Sequence, residues 1–459
     1  MATPSPAPDP FIGRQRELEV LQELHDSGRP EFYVLYGRRR VGKTELLQRF
    51  CEGRRAVYFL AAQVRDKDNL RAFRDALRED LDDALVGEVE FPDWSAALSY
   101  VAERAGDERL VVVLDEFPYL CEGNKGLPSL LQQFWDRRGK RSSLMLVLCG
   151  SQVSFMEREV LAERSPLFGR RTAQRRLEPL RPPEALSFFP DWKARDRVLA
   201  YAVLGGMPAY LRRCDTGREL EQNLLREVLR PEGYLFDEVQ FLLRSELTSP
   251  ATYNSILAAV ARGAERVGDI ALSVGVDSTT ANRYLSTLRE LRLVARDVPI
   301  TDPDPLRSRR GTYRIADRFL AFHFRHVQPN LSLIEAGRGA RVLEEFVRPD
   351  LPRLYDEART DFLIDHLVHE AGTLVGDEVV EAGRVKGEVV RAVGRLANGG
   401  IVAALVPTPE AGPEAALEHE VSELHHALGG PVHKLVYTLV GEPGRALGVR
   451  VEPKTTLQS

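Results

Sequence analysis

A chain of 459 residues has room for about three domains of ordinary size. With 43% hydrophobic and 29% charged residues it is not an intrinsically disordered chain, and no apolar run approaches the roughly 20 residues of a membrane span. The formal net charge of −5 confines any nucleic-acid surface to a local patch. The opening Met1–Pro10 is rich in Pro and Ala, without the basic and apolar blocks of a signal peptide, and reads as a loose tail. Cys51, Cys121, Cys149 and Cys214 are far apart and form no CxxC pair, so reduced thiols in a cytoplasmic protein are expected.

Phe11 to Leu18 opens a helix with Leu18, Leu21 and Leu24 at helical spacing. Gly13 and Arg14 in this stretch either pack over the following strand or line a base pocket. The apolar run Tyr33-Val34-Leu35-Tyr36 reads as a buried strand and leads into Gly37-Arg38-Arg39-Arg40-Val41-Gly42-Lys43-Thr44. A helical pattern, Glu45 to Phe50, follows. G-x-x-x-x-G-K-T between a strand and a helix is the P-loop pattern. Its glycines let backbone N–H groups turn toward phosphate oxygens, and the next helix adds its positive end. Lys43 is then placed for the β- and γ-phosphates of ATP, and the Thr44 hydroxyl for Mg²⁺.

Val57 to Ala62 reads as a second strand, and residues 67–105 as helical. Leu110-Val111-Val112-Val113-Leu114 is a buried parallel strand that ends in Asp115 and Glu116. Ligands of open α/β sheets sit at the carboxyl ends of strands, so both acids are expected near the P-loop. Asp115 suits a Mg²⁺ partner acting through water, and Glu116 a base that polarises the attacking water. Ser143 to Gln152 is another buried strand. Ser151 or Gln152 either senses the γ-phosphate or caps the next helix. After Pro166-Leu167-Phe168-Gly169 come Arg170, Arg171 and Thr172, then strand-like residues at Leu177 and Pro179-Leu180. An arginine here either stabilises charge on the transferring phosphoryl group, in cis or from a neighbouring subunit, or is a plain surface pair.

Taken together, Gly13-Arg14 with Glu17-Leu18, the Gly37–Thr44 loop, Leu114 to Leu120, Cys149-Gly150-Ser151 and Gly169 to Thr172 resemble the archaeal-type ATPase family of AAA+/STAND-like P-loop ATPases. Tyr201 to Leu211, with Gly205-Gly206-Met207-Pro208, resembles that family's segment in a small helical lid. The resemblance spans about residues 11–245. It implies an α/β, ASCE/AAA+-like parallel sheet with an extra strand between the P-loop strand and the acid-bearing strand, followed by the lid.

The lid pattern runs from Leu220 to Leu247, and Ser249-Pro250 breaks it. Helices are expected over Tyr253–Ala261, Val267–Ser273 and Ser278–Leu291, with a turn at Gly275 and an N-cap at Asp277. Ala281, Leu285, Leu288 and Leu291 face inward. Ser278, Thr279, Asn282, Arg283, Ser286 and Arg289 face outward, which is helix–turn–helix spacing. Leu293–Ile315 reads as a hairpin with Arg307, Arg309 and Arg310 near its tip, completing a winged helix. Residues 251–330 hold twelve Arg against eight Asp or Glu, so this module is basic within an acidic chain. Thr279, Asn282, Arg283 and the three wing arginines are candidates for duplex DNA; a winged helix used only for protein contacts or for relaying ATP state is the competing reading.

From about Phe346 the chain resembles in placement the restriction-endonuclease-like domain that ends many members of the family, with Phe322 to Leu333 as its lead-in. Where the resemblance implies an acid pair, Gly387-Glu388-Val389-Val390-Arg391 puts Val390 at the second acid, and Ile401–Val406 has no Glu-x-Lys. A catalytically dead α/β scaffold is expected. Asp361, Glu381, Lys386 and Glu388 are weak metal candidates beside a solvated-surface reading. Pro407–Pro413 reads as a loop and Glu414–Leu428 as a helix. His425 and His426 there read as a surface pair.

The expected division is a tail at 1–10, an ATPase core at 11–180, a lid at 181–248, a winged helix at 249–330 and the degenerate endonuclease-like domain at 331–459. The expected function is a Mg²⁺-dependent ATPase switch coupled to DNA, with ATP between core and lid. An ATP-gated interaction scaffold with little turnover is the alternative. A homo-oligomer or a protein partner fits either reading; a membrane fits neither.

Overall fold

The computed structural model describes residues 11–459 apart from 89, 301, 303, 305, 306, 309, 386–389, 406–431, 441–447, 458 and 459. The chain divides into two compact units, Gly13–Pro179 and the chain from Leu180 onward together with Phe11 and Ile12.

In Gly13–Pro179 a parallel sheet is built from β1 (Glu31–Tyr36), β2 (Ala56–Leu60), β3 (Leu110–Asp115), β4 (Leu144–Gly150) and β5 (Ala173–Arg176), in the order β2-β3-β4-β1-β5. The extra strand β4 thus lies between the P-loop strand and the acid-bearing strand, as the resemblance implies. β1, β3 and β4 are buried along their whole length, as the largely apolar sequences of β3 and β4 and the aromatic and aliphatic run after Glu31 in β1 require of a sheet covered on both faces. Each buried Val or Leu contributes roughly 1.5–3 kcal/mol. Pairing aligns the carboxyl ends: Tyr36 lies beside Gly150, Leu114 beside Leu148 and Asp115 beside Leu60.

Two expectations are corrected here. The helical stretch over 67–105 is two helices, Asp66–Asp80 and Trp94–Ala105. The break is fixed by Trp94, whose indole packs against Phe59 and Phe73 and donates to Asp66. The strand expected at Leu177–Leu180 is formed earlier, at β5, because Thr172 hydrogen-bonds Phe32 and sets that register.

From Leu180 the chain is first helical, with Ala194–Leu204, Leu220–Glu227 and Glu238–Glu246. Gly205 adopts a φ of 67°, and a Cβ on Gly206 would lie 2.0 Å from the Leu180 carbonyl oxygen. Only Gly-Gly permits this approach. Next come the helices Pro250–Ala261, Val267–Val274 and Ser278–Glu290, then the antiparallel pair β6 (Val294–Asp297) and β7 (Thr312–Ile315). Gly275 turns at a φ of 76°, and Asp277 caps the third helix by accepting from Thr280 N at 2.8 Å.

Beyond Leu351–His366 lies a mixed sheet of β8 (Val379–Arg384), β9 (Val390–Leu396), β10 (Ile401–Leu405), β11 (Val432–Val440) and β12 (Gly448–Leu457), ordered β12-β11-β10-β9-β8. Only β10 and β11 pair in parallel. Leu363, Leu367, Ala392, Leu396 and Val402 form its core against the helix. Asp361 is a hub of this unit. Its carboxylate accepts from Arg318 Nε at 2.6 Å and from Arg384, while Arg318 also bonds Glu357 at 2.8 Å. Burial alone would raise the Asp361 carboxyl, but the two guanidiniums outweigh it and hold it below the usual range. The expectation of a solvated Asp361 is therefore corrected.

Glu381 pairs with Arg395 at 3.5 Å. Among the described residues no group of three or more His, Cys, Asp or Glu stands at metal-ligating separation. Arg309, Lys386, Glu388, His425, His426, the Pro407–Pro413 loop and the Glu414–Leu428 helix lie outside the described residues, as does the Met1–Pro10 tail.

Replacing Asp361 by Asn leaves two buried guanidiniums without their carboxylate. It is expected to cost about 3–5 kcal/mol, read as a lowered midpoint in urea unfolding. Because the folded-state value is depressed, the wild-type contribution is present above the unfolded carboxylate range and lost as pH falls through the folded value. The gap between wild type and variant should therefore narrow in acid. A gap unchanged down to pH 2 would contradict the assignment.

Candidate active site

The carboxyl edge of the sheet collects the predicted P-loop and acid residues. β1 ends at Tyr36, and Gly37 turns away at a φ of 154° with its absent Cβ only 2.4 Å from the Leu177 carbonyl oxygen. Arg40 and Gly42 also have positive φ, 68° and 93°, so the loop folds back on itself before the helix Lys43–Cys51 begins. Lys43 is buried, and its ammonium donates to the Gly37 and Arg38 carbonyls at 2.8 and 2.9 Å. No carboxylate pairs with it among the described residues. A buried ammonium held by neutral carbonyls alone is an uncompensated charge waiting for an anion.

Thr44 Oγ1 donates to Asp115 Oδ2 at 2.9 Å. The buried Asp115 also accepts from the Tyr58 hydroxyl and from the Glu116 backbone N–H at 2.8 Å. A hydroxyl and a carboxylate oxygen this close are an oxygen donor pair of the kind that suits Mg²⁺. Glu116 sits at a φ of 52°, a conformation that costs a non-glycine residue about 1–3 kcal/mol and clusters at functional sites. Its Oε2 accepts from Ser151 Oγ at 2.7 Å and Ser151 N at 3.3 Å. Of the two candidates at the end of β4, it is thus Ser151 that meets the acid; Gln152 instead bonds Glu122 at 3.3 Å.

Arg14 is buried at a φ of 68°, and its guanidinium donates to the carbonyls of Val41 at 2.8 Å and Glu178 at 2.7 Å. Of the two readings of the Gly13-Arg14 box, these bonds show the packing one, since the arginine ties the P-loop to the segment after β5. Arg38 is buried, and Arg39 bonds the Tyr119 hydroxyl at 2.6 Å.

Arg170 and Arg171 are not brought to this edge. They precede Thr172, which pairs with Phe32 near the amino end of β1, whereas the P-loop leaves its carboxyl end. Phe32 to Gly37 is about 16 Å of strand at about 3.3 Å per residue, beyond the reach of one side chain. Arg170 instead pairs with Asp136 at 3.0 Å, and Arg171 donates to the Leu161 carbonyl at 3.2 Å. A role in cis is therefore corrected.

Sequence reasoning missed Tyr58. Tyr58 pairs with Val113, so its side chain shares a sheet face with Asp115 two residues on. Only the strand order reveals this. Its phenol is held well above the usual range, first by burial and then by the Asp115 charge, so it stays a donor to that carboxylate.

In the winged helix Ala281, Leu285, Leu288 and Leu291 are buried while Thr279, Asn282, Arg283, Ser286 and Arg289 are exposed. Arg307 and Arg310 are exposed at the wing.

Residues 11–214 match a family described as an ATPase domain predominantly from Archaea, and residues 255–298 match an IclR helix-turn-helix domain. An uncharacterized protein of Methanocaldococcus jannaschii is 35% identical over 329 residues, 71% of this chain and 71% of the relative. The chain belongs to the archaeal-type ATPase family. A second protein of that organism, an uncharacterized ATP-binding protein, is 42% identical over 45 residues, 10% of this chain and 76% of its own. Among solved structures, a Walker-type ATPase of Pyrococcus abyssi aligns with a TM-score of 0.51 and 22% identity, covering 70% of this chain and 98% of that one. That likeness speaks for the fold alone. This archaeal-type ATPase thus joins an ATPase domain to a helix-turn-helix domain. No helix among its described residues is long and apolar enough to cross a membrane.

Tyr58→Phe removes one hydrogen bond to a buried carboxylate, worth about 1.5 kcal/mol or roughly tenfold in rate. ATP turnover is expected to fall by about that factor with nucleotide affinity within about twofold. Steady-state kinetics beside a direct binding titration check it, and an unchanged turnover would remove Tyr58 from the site.

Proposed function

We propose that this archaeal-type ATPase is a Mg²⁺-dependent ATP-hydrolysing switch whose nucleotide state governs binding of duplex DNA by its winged helix. The observation that carries the proposal is the buried Lys43 ammonium, held only by loop carbonyls, next to the Thr44–Asp115 oxygen pair.

The backbone of Gly37 to Thr44 would face the phosphates of ATP, with Arg38, Arg39, Arg40 and Val41 forming the turn. Lys43 would exchange its two carbonyl partners for β- and γ-phosphate oxygens. Thr44, and Asp115 through water, would hold Mg²⁺, which supplies charge neutralisation at the phosphate oxygens. Tyr58 would keep Asp115 oriented toward Thr44. Glu116 would accept a proton from the attacking water once Ser151 releases its carboxylate. Both hydrogen bonds from Ser151 fall on Oε2, so they orient the Glu116 carboxylate toward the end of β4. Arg170 and Arg171 would act only from a neighbouring copy.

The DNA half of the proposal is supported by the exposed polar row Thr279, Asn282 and Arg283 on a capped helix and by the exposed Arg307 and Arg310. The row would enter the major groove and the wing would meet phosphates. A second reading, an ATP-gated protein scaffold, is favoured by Leu272. It is 85% exposed on the helix before the recognition helix.

Lys43→Ala is expected to abolish nucleotide binding. Glu116→Gln should retain binding and lose about 10²–10⁴-fold in turnover. Calorimetry with phosphate-release kinetics separates the two, and full turnover in Glu116→Gln would overturn its role. Wild type should bind duplex DNA with a steep salt dependence, and Arg283→Ala should lower the log–log salt slope by about 1 if the side chain meets a phosphate. Failure to bind any duplex at low salt, with ATP turnover intact, would leave the scaffold reading.

A further inference from the structure

The unit from Leu180 onward contains a cavity of about 950 Å³ between the winged helix, the helices that begin at Arg318 and Leu351, and strands β8 and β9. Among the described residues eight arginines line it against four carboxylates, Glu265, Asp297, Asp356 and Glu357. Asp350 and Asp361, which pair with these arginines, and Asp302, which feels the Arg310 charge, bring the acids to seven, so among the described residues the eight arginines remain in slight excess.

The arginines divide into two sets. Arg314 is paired with Asp297 at 2.7 Å, Arg318 with Glu357 and Asp361, Arg325 with Glu357 and Asp350, Arg353 with Glu357, and Arg384 with Asp361. Arg266, Arg310 and Arg391 have no carboxylate within ion-pair distance among the described residues. They come from three separate elements: the turn before the second helix of the winged helix, the wing and β9. Within the paired set, the Nε atoms of Arg325 and Arg384 are buried without a hydrogen-bond partner among the described residues. Burial also holds the Arg384 guanidinium below its usual range, as expected where positive charge is crowded in a dry wall.

A core does not need this arrangement. The partly bonded guanidiniums of Arg325 and Arg384, with buried Nε atoms, cost stability unless an anion satisfies them, and the exposed Arg266 and Arg310 with the half-buried Arg391 add positive charge that no ion-paired carboxylate among the described residues offsets. Guanidinium forks match phosphate oxygens in charge and geometry. The volume lies in the range of small-molecule sites. A duplex is too wide to bring its backbone to Arg325 or Arg384, which lie deep in the wall, whereas a compact ligand can enter. We propose that this cavity is a binding site for a small anion bearing two or more linked phosphates, separate from the P-loop, with Arg266, Arg310 and Arg391 as its principal contacts. Anion occupancy would brace the winged helix against the C-terminal sheet.

The test uses full-length Lys43→Ala, which removes the P-loop lysine, and inorganic tripolyphosphate as the probe in calorimetry and thermal melting. One tripolyphosphate should bind per chain and raise the melting temperature. Adding Arg266→Glu, an exposed position that leaves packing intact, should weaken binding at least tenfold; Arg391→Gln should do the same. Absence of binding to Lys43→Ala overturns the proposal. So does binding that neither substitution weakens, because the anion then sits elsewhere. A short DNA duplex that competes with tripolyphosphate would assign these arginines to the DNA surface and overturn the small-ligand site; a duplex that does not compete supports it. None of these outcomes depends on whether Glu116 catalyses hydrolysis.

Discussion

The Asp115 carboxylate is the interaction on which the candidate site depends. It gathers a hydroxyl from the P-loop helix, a phenol from β2 and the backbone N–H of Glu116 onto one buried acid. Three donors make burial of that acid tolerable; any one of them alone would leave a poorly solvated charge in the sheet edge. The same bonds determine what surrounds it. Glu116 is turned into a left-handed conformation immediately beyond the strand, and from there its side chain reaches Ser151.

Gly37 is the second constraint. The loop can close against the end of β5 only because no Cβ intrudes on the Leu177 carbonyl. Arg14 then bridges the loop and the segment after β5 through two carbonyls, fixing the curvature that parks Lys43 on its own loop. The site is hydrogen-bonded within itself, with threonine on aspartate and glutamate on serine, while the lysine has only neutral carbonyls as partners. At Lys43 a phosphate oxygen would replace neutral carbonyl partners by a charged one, which strengthens the hydrogen bond.

The unit from Leu180 onward follows a different physical plan. Its organising contacts are ionic, with Asp361 and Glu357 each holding arginines from separate elements. Such networks fix geometry well because losing one partner strands another buried charge. They also explain why Asp361, for which the sequence favoured a solvated surface, is instead a paired acid.

Much of this molecule is legible in its sequence. Runs of aliphatic and aromatic residues are enough to give β1, β3 and β4, because a strand covered on both faces must be largely apolar. G-x-x-x-x-G-K-T needs only its flanking strand and helix to be recognised. The period of Ala281, Leu285 and Leu288 gives the recognition helix and its outward face. What the sequence leaves open is long-range pairing. Tyr58 reaches Asp115 because β2 happens to pair with β3 in one register, and no local pattern encodes that. Arg170 and Arg171 read as phosphate-facing residues until the register of β5 puts them near the amino end of β1. The arginines of the cavity lie scattered from Arg266 to Arg391, unremarkable in an Arg-rich chain. Local chemistry, set by residues a few positions apart, was decided by the sequence; the meeting of charges from distant elements was decided by tertiary structure, because only chain topology brings them within a few ångströms.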